Sequence, residues 1–303
     1  MTTLEQLDAL LLSGAAGLGP GFRSQQLAYL RRTQLPDGGF PGRRGGSDLY
    51  YTDFALRLAL LLGAEDGLWE RAADYLRHLP QPTDLIGLFC ALNASRLLMT
   101  AEVLVPVDRE SRREVLRALA LPSGGFAKTL GGPVSAYATF IAALCAEMLE
   151  LDLPAAAEAV AALHALRGPQ GGYRESPASG QEQTNATAAA VAFLTMQEAL
   201  SEEAAGSAAS FLGAMQGPGG GFWAHPDAPL EDLLSTFTGL VALVSLPDAK
   251  GLDLMGVARF ARDLAMPEGG FAATRGDLEA DLEYTYYGVG TLALLRAILP
   301  PAA

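Results

Sequence analysis

Three carboxylic acids stand at alternate positions in the stretch Glu279, Asp281 and Glu283, and Tyr284 follows directly. Acidic groups this close raise one another's pKa, and an apolar setting raises it further, so one of them could hold its proton at neutral pH and act as a general acid. The segment Asp281-Leu282-Glu283-Tyr284-Thr285 shares its Asp-x-x-x-Thr spacing with Asp232-Leu233-Leu234-Ser235-Thr236 and with Asp48-Leu49-Tyr50-Tyr51-Thr52. The structural reading of the same aspartates is a helix cap that satisfies orphan N–H groups and complements the dipole. Asp232 with Glu283 could also offer carboxylates to a hard ion such as Mg²⁺. Aromatic residues gather in the same places: Tyr50, Tyr51, Phe54, Tyr137, Phe140, Phe237, Tyr284, Tyr286 and Tyr287, with Trp223 directly after Phe222. Such a set suits an apolar ligand and would stabilise a cation over its ring faces, or it fills a core; periodicity does not separate the two.

The elements that must place these residues follow from a repeat. A Gly-Gly-aromatic loop occurs at Asp37-Gly38-Gly39-Phe40, Ser123-Gly124-Gly125-Phe126, Gln170-Gly171-Gly172-Tyr173, Gly219-Gly220-Gly221-Phe222 and Glu268-Gly269-Gly270-Phe271. The second glycines are 86, 47, 49 and 49 residues apart, so the long first interval holds a degenerate repeat, with Leu79-Pro80-Gln81-Pro82-Thr83-Asp84 where the loop should be. An amphipathic helix is predicted before each loop, over about 22–34, 67–78, 106–120, 153–167, 203–215 and 252–265. A more apolar helix is predicted after it, over about 48–63, 83–100, 133–151, 182–200, 230–245 and 280–298. The first set carries most of the Arg and Glu and reads as an outer ring. The second, apolar nearly all round, is buried on more than one side and reads as an inner ring. Six pairs suffice to close on themselves and hide both end faces. The predicted fold is therefore all-α, an α/α toroid of six helix-pair repeats spanning 1–303 as one domain, with an extra amphipathic helix over 1–14. Gly239, Gly288, Gly290 and the run Ala188–Ala190 would leave space inside the ring, which favours a central cavity.

Composition removes several classes. A formal net charge of −13 without any basic run argues against nucleic acid. Cys90 and Cys145 lie far apart in apolar helical stretches and are expected as buried thiols, not as a disulfide or a zinc knuckle. No apolar run reaches the length of a membrane span, and residues 1–14 lack a basic leader region, so the expectation is a cytoplasmic protein. His78 and His164 fall on outer helices, and three scattered histidines make no Ser-His-Asp arrangement.

A Gly-Gly-aromatic loop followed by Asp-x-x-x-Thr at the start of an apolar helix, repeated from about residue 22 to the end, resembles the β subunits of protein farnesyl- and geranylgeranyltransferases. It also resembles the catalytic domains of squalene-hopene cyclases and other class II terpene cyclases. The resemblance implies an isoprenoid or lipid-like ligand, and either a helical partner subunit or a homodimer. In the transferases a zinc ion held by an Asp, a Cys two residues on and a His of the next inner helix activates a thiolate. Those places here are Asp232, Leu234 and Tyr284, so only Asp232 keeps a ligand type and no resident cofactor is expected, Mg²⁺ entering only with a diphosphate substrate. The places that hold the prenyl diphosphate fall at Gln183, His225, Ala228 or Pro229, and Ser235, where basic donors are largely missing. Arg43, Arg44, Lys128, Arg174 and Arg275, each within five residues of a glycine loop, could compensate. In the class II cyclases an Asp-x-Asp-Asp-Thr segment supplies the acid that protonates an alkene or epoxide; with Thr285 on its Thr, Asp281 takes the first Asp, Glu283 the catalytic one and Tyr284 its neighbour. Complement thioester domains share the toroid, but Gly180-Gln181-Glu182-Gln183 lacks their cysteine.

Three functional readings stand. The first is a prenyltransferase β-subunit-like protein that binds an isoprenoid or prenyl diphosphate in an aromatic cavity without the zinc site. The second is a carboxylic-acid-driven terpene cyclase, and the third a non-catalytic scaffold. The candidate catalytic residues are Asp281, Glu283, Tyr284 and Asp232; the candidate binding residues are Tyr50, Tyr51, Tyr137, Arg174, Trp223, His225, Phe237 and Tyr287.

Overall fold

A computed structural model describes residues 1–64, 67–246 and 251–299. It begins with a helix α1 (Thr3–Ala15). The amphipathic helices follow as α2 (Pro20–Thr33), α4 (Leu68–Arg77), α6 (Arg109–Leu119), α8 (Ala156–Ala165), α10 (Glu202–Ala214) and α12 (Leu254–Asp263). They alternate with the apolar helices α3 (Leu49–Leu62), α5 (Leu85–Thr100), α7 (Ala136–Leu149), α9 (Thr184–Met196), α11 (Leu233–Ser245) and α13 (Leu282–Ile298). Every predicted helix is present within a few residues of its expected ends. Among the described residues no helix is long and apolar enough to cross a membrane. Two loops carry short antiparallel pairs: β1 (Phe40–Pro41) with β2 (Ser47–Asp48), and β3 (Phe222–Trp223) with β4 (Glu231–Asp232). Phe40 lies opposite Asp48 and Phe222 opposite Asp232.

The chain forms two compact units, one from the described residues of 1–82, 90–108 and 261–303, the other from those of 83–89 and 109–260. In the first, α13 packs against α3 and against α1; in the second, α9 packs against both α7 and α11. The apolar helices are buried nearly all round, α13 from Thr285 through Leu295 without a break. Cys90 and Cys145 are buried free thiols, and burial pushes the Cys145 thiol above its ordinary range.

One interaction recurs in all five glycine loops. The threonine four residues after each helix cap donates its hydroxyl to the cap carbonyl and accepts the backbone N–H of the loop aromatic. Thr236 Oγ1 donates to Asp232 O at 2.6 Å and accepts from Phe222 N at 2.9 Å. Thr52 does the same between Asp48 O (2.7 Å) and Phe40 N (3.0 Å), and Thr187 between Gln183 O (2.7 Å) and Tyr173 N (2.8 Å). Thr139 joins Ser135 O (2.8 Å) to Phe126 N (3.0 Å), and Thr285 joins Asp281 O to Phe271 N (3.0 Å). One hydroxyl thus satisfies a buried loop N–H and adds a second bond to the cap carbonyl, which already accepts a helical N–H in the repeats of Thr139, Thr187 and Thr285.

The glycines allow the loop to lie against the following amphipathic helix. At Gly38, with φ +89°, a Cβ would sit 1.9 Å from Arg71 O on α4; at Gly269, with φ +87°, it would sit 2.8 Å from Gln25 O on α2. The sixth repeat's loop therefore meets the first repeat's helix as each other loop meets the next. The loop aromatics then enter the apolar helices. Phe222 fills the notch at Gly239 and Phe271 the one at Gly288, where an added Cβ would fall 2.6 and 2.2 Å from the rings. These two glycines seat core side chains, so the space the sequence reading assigned to a cavity is occupied there. Arginines of the amphipathic helices cap the far ends of the apolar ones: Arg23 donates to Leu62 O at 2.9 Å and Arg113 to Leu149 O at 2.9 Å.

Tyr173 stands where the other loops have Phe, and among the described residues its buried hydroxyl has no hydrogen-bond partner. Tyr173→Phe should raise stability by about 1 kcal/mol, because it removes an unsatisfied polar group while keeping the ring. Thr236→Val, which leaves the buried Phe222 N–H unsatisfied, should lower it by about 2 kcal/mol. Urea midpoints at unchanged m-value check both.

Candidate functional site

In the first unit the starts of α3 and α13 bring together Tyr50, Tyr51, Asp281, Glu283, Tyr284 and Tyr287. Tyr50 Oη donates to Glu283 Oε1 at 2.8 Å. The Tyr50 ring meets Tyr51 and Phe54 at centroid distances of 5.4 and 5.0 Å, and Phe54 meets Tyr286 and Tyr287 at 5.6 and 5.4 Å. Tyr284 lies edge-on to Tyr287 at 6.2 Å. Ring quadrupoles favour such edge-to-face contacts. Phe54, Tyr286 and Tyr287 are buried, whereas Tyr50, Tyr51, Tyr284 and Glu283 are half-buried. The predicted aromatic lining is, in this unit, a mutually packed cluster with a half-exposed edge of tyrosines and one carboxyl group.

Arg43, on the β1–β2 connection, closes over that edge. Its Nε donates to Asp281 Oδ2 at 2.8 Å, and its Nη1 and Nη2 donate to the two oxygens of Asp277 at 3.2 and 2.6 Å. The guanidinium lies 5.9 Å from the Tyr284 ring centroid. Asp281 is the α13 cap as well, accepting from Tyr284 N at 2.9 Å, so the capping reading and the ion pair together occupy its carboxylate. A cleft of about 310 Å³ opens beside it, lined by Tyr29, Thr33, Pro41, Gly42, Arg43 and residues 279–282.

Electrostatics separates these groups. Burial pushes the Glu283 carboxyl above the ordinary glutamate range, with the Asp281 charge adding to the shift and the Tyr50 hydrogen bond opposing it. Burial and then Asp281 drive the Tyr29 phenol up to about 12. The bonds to Asp277, and after them the charge of Asp281, hold the Arg43 guanidinium above its usual range. Burial works against the Asp277 carboxylate, but Arg43 outweighs it and keeps that group low. The sequence marked Arg43 as a cation near a glycine loop and did not mark Asp277 as its partner; neither has a helical or strand periodicity.

The remaining predicted residues belong to the second unit. Asp232 caps α11, accepting from Ser235 N at 2.7 Å and Ser235 Oγ at 2.9 Å, and burial raises its pKa against those bonds. Tyr137 N donates to Glu175 Oε2 at 3.3 Å, and the Tyr137 ring lies 5.5 Å from Lys128 Nζ, itself paired with Glu175 at 2.9 Å. Arg174 is half-buried, and its backbone N–H donates to Leu166 O at 3.0 Å. Trp223 is half-buried on β3, His225 Nδ1 hydrogen-bonds Gln181 Nε2 at 2.7 Å, and Phe237 is buried in α11. Among the described residues no three His, Cys, Asp or Glu side chains come together as a metal ligand set. Of the proposed compensating cations, Arg43, Lys128 and Arg275 are each paired with a carboxylate.

Glu283 carries a pH signature. The folded chain binds its proton more tightly than the unfolded chain does, so this group favours folding below the ordinary glutamate range and loses that contribution as pH rises through the raised value. Glu283→Gln keeps an acceptor for Tyr50 and removes the titration. Melting temperatures from pH 4 to 8 should show a decline toward high pH in the wild type that is smaller in the variant; parallel curves would contradict the burial of this carboxyl group.

No curated protein matches the chain in sequence. Protein geranylgeranyltransferase-I of Candida albicans, solved in complex with GGPP, is similar over 90% of this chain and 90% of that one, with TM-score 0.71 and 14% identity. A variant of the type II terpene cyclase MstE from Scytonema, in complex with geranylgeranyl dihydroxybenzoate, is similar over 95% and 98% with TM-score 0.60 and 13% identity. An α-1,6-mannanase variant from a Salegentibacter species is similar over 91% and 99%, with TM-score 0.57 and 13% identity. Likeness this distant speaks to the fold alone, and the fold hosts unrelated chemistries. The model of the prenyltransferase alpha-alpha toroid domain matches residues 3–164 and 149–301, and the chain belongs to that family, with the all-α toroid of helix pairs that its repeats predicted.

Proposed function

We propose that this chain is a prenyltransferase β-subunit-like protein that binds an isoprenoid against the aromatic side chains at its helix starts and works without the zinc-thiolate machinery. The observation that carries the reading is the cluster of Tyr50, Tyr51, Phe54, Tyr284, Tyr286 and Tyr287, six rings in mutual contact whose half-exposed edge offers apolar surface beside polar anchors. The transferase and cyclase relatives are recorded with prenyl molecules bound, which supports the same ligand class. A zinc-activated thiolate does not suit the donors present: Asp232 is engaged with Ser235, and Leu234 and Tyr284 hold the other two places. A diphosphate would have to compete for Arg43 with Asp277 and Asp281, so the hydrocarbon part supplies most of the affinity.

Glu283 favours a second reading, acid-driven cyclisation. Its carboxyl group is half-buried at the edge of the rings, its pKa is raised, and one oxygen is held by Tyr50. A protonated carboxyl in this position can donate to an alkene, and the ring faces can stabilise the cation that results. Native mass spectrometry with geranylgeranyl diphosphate and with geranylgeraniol tests both readings. We expect stoichiometric binding of each, weakened about 10-fold by Tyr284→Ala through lost ring contact. Absence of binding by the wild type sinks both. Turnover of a bound prenyl substrate that Glu283→Gln abolishes while binding is kept establishes the cyclase; turnover that survives the substitution removes it.

A further inference from the structure

The cleft beside Arg43 opens where a bond of the repeat is missing. In the second unit the backbone N–H that opens α5, α7 and α9 donates to the carbonyl two residues after the next loop's aromatic. Leu85 N reaches Lys128 O at 3.0 Å, Ala136 N reaches Glu175 O at 2.9 Å, and Thr184 N reaches Ala224 O at 2.9 Å. The corresponding pair in the first unit is Leu282 N, which opens α13, and Gly42 O, two residues after Phe40. That bond is not made. Leu282 is fully buried, and among the described residues its N–H has no hydrogen-bond partner. Leu282 and Gly42 instead both line the cleft of about 310 Å³. A buried backbone donor that its counterparts satisfy is costly to leave unpaired, so the cleft holds a place for an acceptor.

A second unspent donor lies behind the same wall. Gln26, fully buried on α2 one turn before Tyr29, accepts from Gly270 N through Oε1 at 2.8 Å, and among the described residues its Nε2 has no partner. Gly270 is seated against two cleft residues, for a Cβ added there would fall 2.7 Å from Ala280 Cβ and 2.9 Å from the Tyr29 ring. Two donors without acceptors call for an oxygen, and the charge of the wall decides which kind. Arg43 is already bound by Asp277 and Asp281, and Arg32, over the Tyr29 ring at 5.0 Å, donates to Glu268 O. Glu279 lines the cleft and is exposed. Three carboxylates therefore surround the one guanidinium of the cleft, which disfavours an anionic oxygen and favours a neutral carbonyl with a cation close by. An amide meets both demands, since it also brings an N–H for the carbonyl of Gly42.

We propose that the cleft between α2, the β1–β2 connection and the start of α13 is a binding site for an amide that carries a cationic group. The amide carbonyl accepts from Leu282 N–H, the amide N–H donates to Gly42 O, and the cation pairs with Glu279. The amide thus replaces the bond that the other helix starts make directly. The volume is at the lower end of the range for ligand pockets, about 300 Å³, so the site takes one amino-acid amide or one residue of a longer chain. The site is separate from the ring cluster and does not draw on the isoprenoid reading.

Amide-resolved NMR of the full chain tests it, with the backbone signals of Gly42, Ala280 and Leu282 as reporters. The probes are the N-acetyl methylamides of lysine, norleucine and glutamate, and butylammonium as a cation without an amide. The lysine probe should move the Leu282 signal downfield with a dissociation constant of about 1 mM, as its size allows. The norleucine probe should bind more weakly, and the glutamate probe and butylammonium should leave the signal in place. Leu282→Pro deletes the donor at a helix position that accepts proline, and should abolish the response of Gly42 and Ala280. Glu279→Gln, which leaves the buried residues untouched, serves if that variant fails to fold; it should weaken the lysine probe about 3-fold and not the norleucine probe. A Leu282 signal unmoved by the lysine probe at 10-fold the expected constant, about 10 mM, overturns the proposal, as does an equal response to butylammonium or to the glutamate probe. Tighter binding of acetyl-Ala-Lys-Ala methylamide upholds it with a polypeptide as the source of the amide; affinity equal to that of the lysine probe upholds it with a small molecule.

Discussion

A single threonine hydroxyl in each of the five repeats with a glycine loop ties that loop to the start of the apolar helix behind it. Each one pairs a backbone N–H in a glycine loop that would otherwise be buried unpaired, and adds a bond to a cap carbonyl that, in the repeats of Thr139, Thr187 and Thr285, already accepts a helical N–H. With the aromatic N–H fixed, the ring can point only into the apolar helix behind it, as Phe271 does at Gly288. The first glycine of the pair then lies against the next helix with no room for a side chain. Loop, apolar helix and neighbouring amphipathic helix are thereby fastened at one point.

The same fastening determines what the helix starts can present. The cap residue's carbonyl accepts from the threonine while its side chain separately caps the helix, as at Asp48, Asp232 and Asp281. Residues two and three positions after Asp48 and Asp281 are half-buried, and these are Tyr50, Tyr51, Glu283 and Tyr284. The half-buried cluster is thus a consequence of the repeat. What distinguishes Glu283 from Asp281 is surroundings: Asp281 has a guanidinium and a backbone N–H, while Glu283 has a phenol and ring edges.

Charge inside apolar helices was written in the chain but had no visible purpose there. Asp53 and Arg57 stand four apart in a helix otherwise rich in Leu and Ala, a spacing that marks a pair. Their connection to Asn93, Arg96 and Asp8 joins residues from three helices, and nothing in local pattern links position 8 to position 96. Likewise Arg43 was legible as a cation near a loop, but its fork to Asp277 and Asp281 spans more than two hundred residues of chain.

By itself the sequence determined the helices, the repeat count, the toroid fold and the residues that open each apolar helix. These depend on periodicities of a few residues and on glycine, proline and capping chemistry, all of which act locally. Tertiary structure alone decided which polar groups are spent and which remain available. Asp232 and Asp281 read as chemistry or as caps with equal force in one dimension, and only packing showed their oxygens engaged. Glycines that read as empty space proved to be seats for Phe222 and Phe271, since a missing side chain in a sequence does not say what fills its place. Ion pairs and occupied volume depend on contacts between distant segments, and no local pattern encodes them.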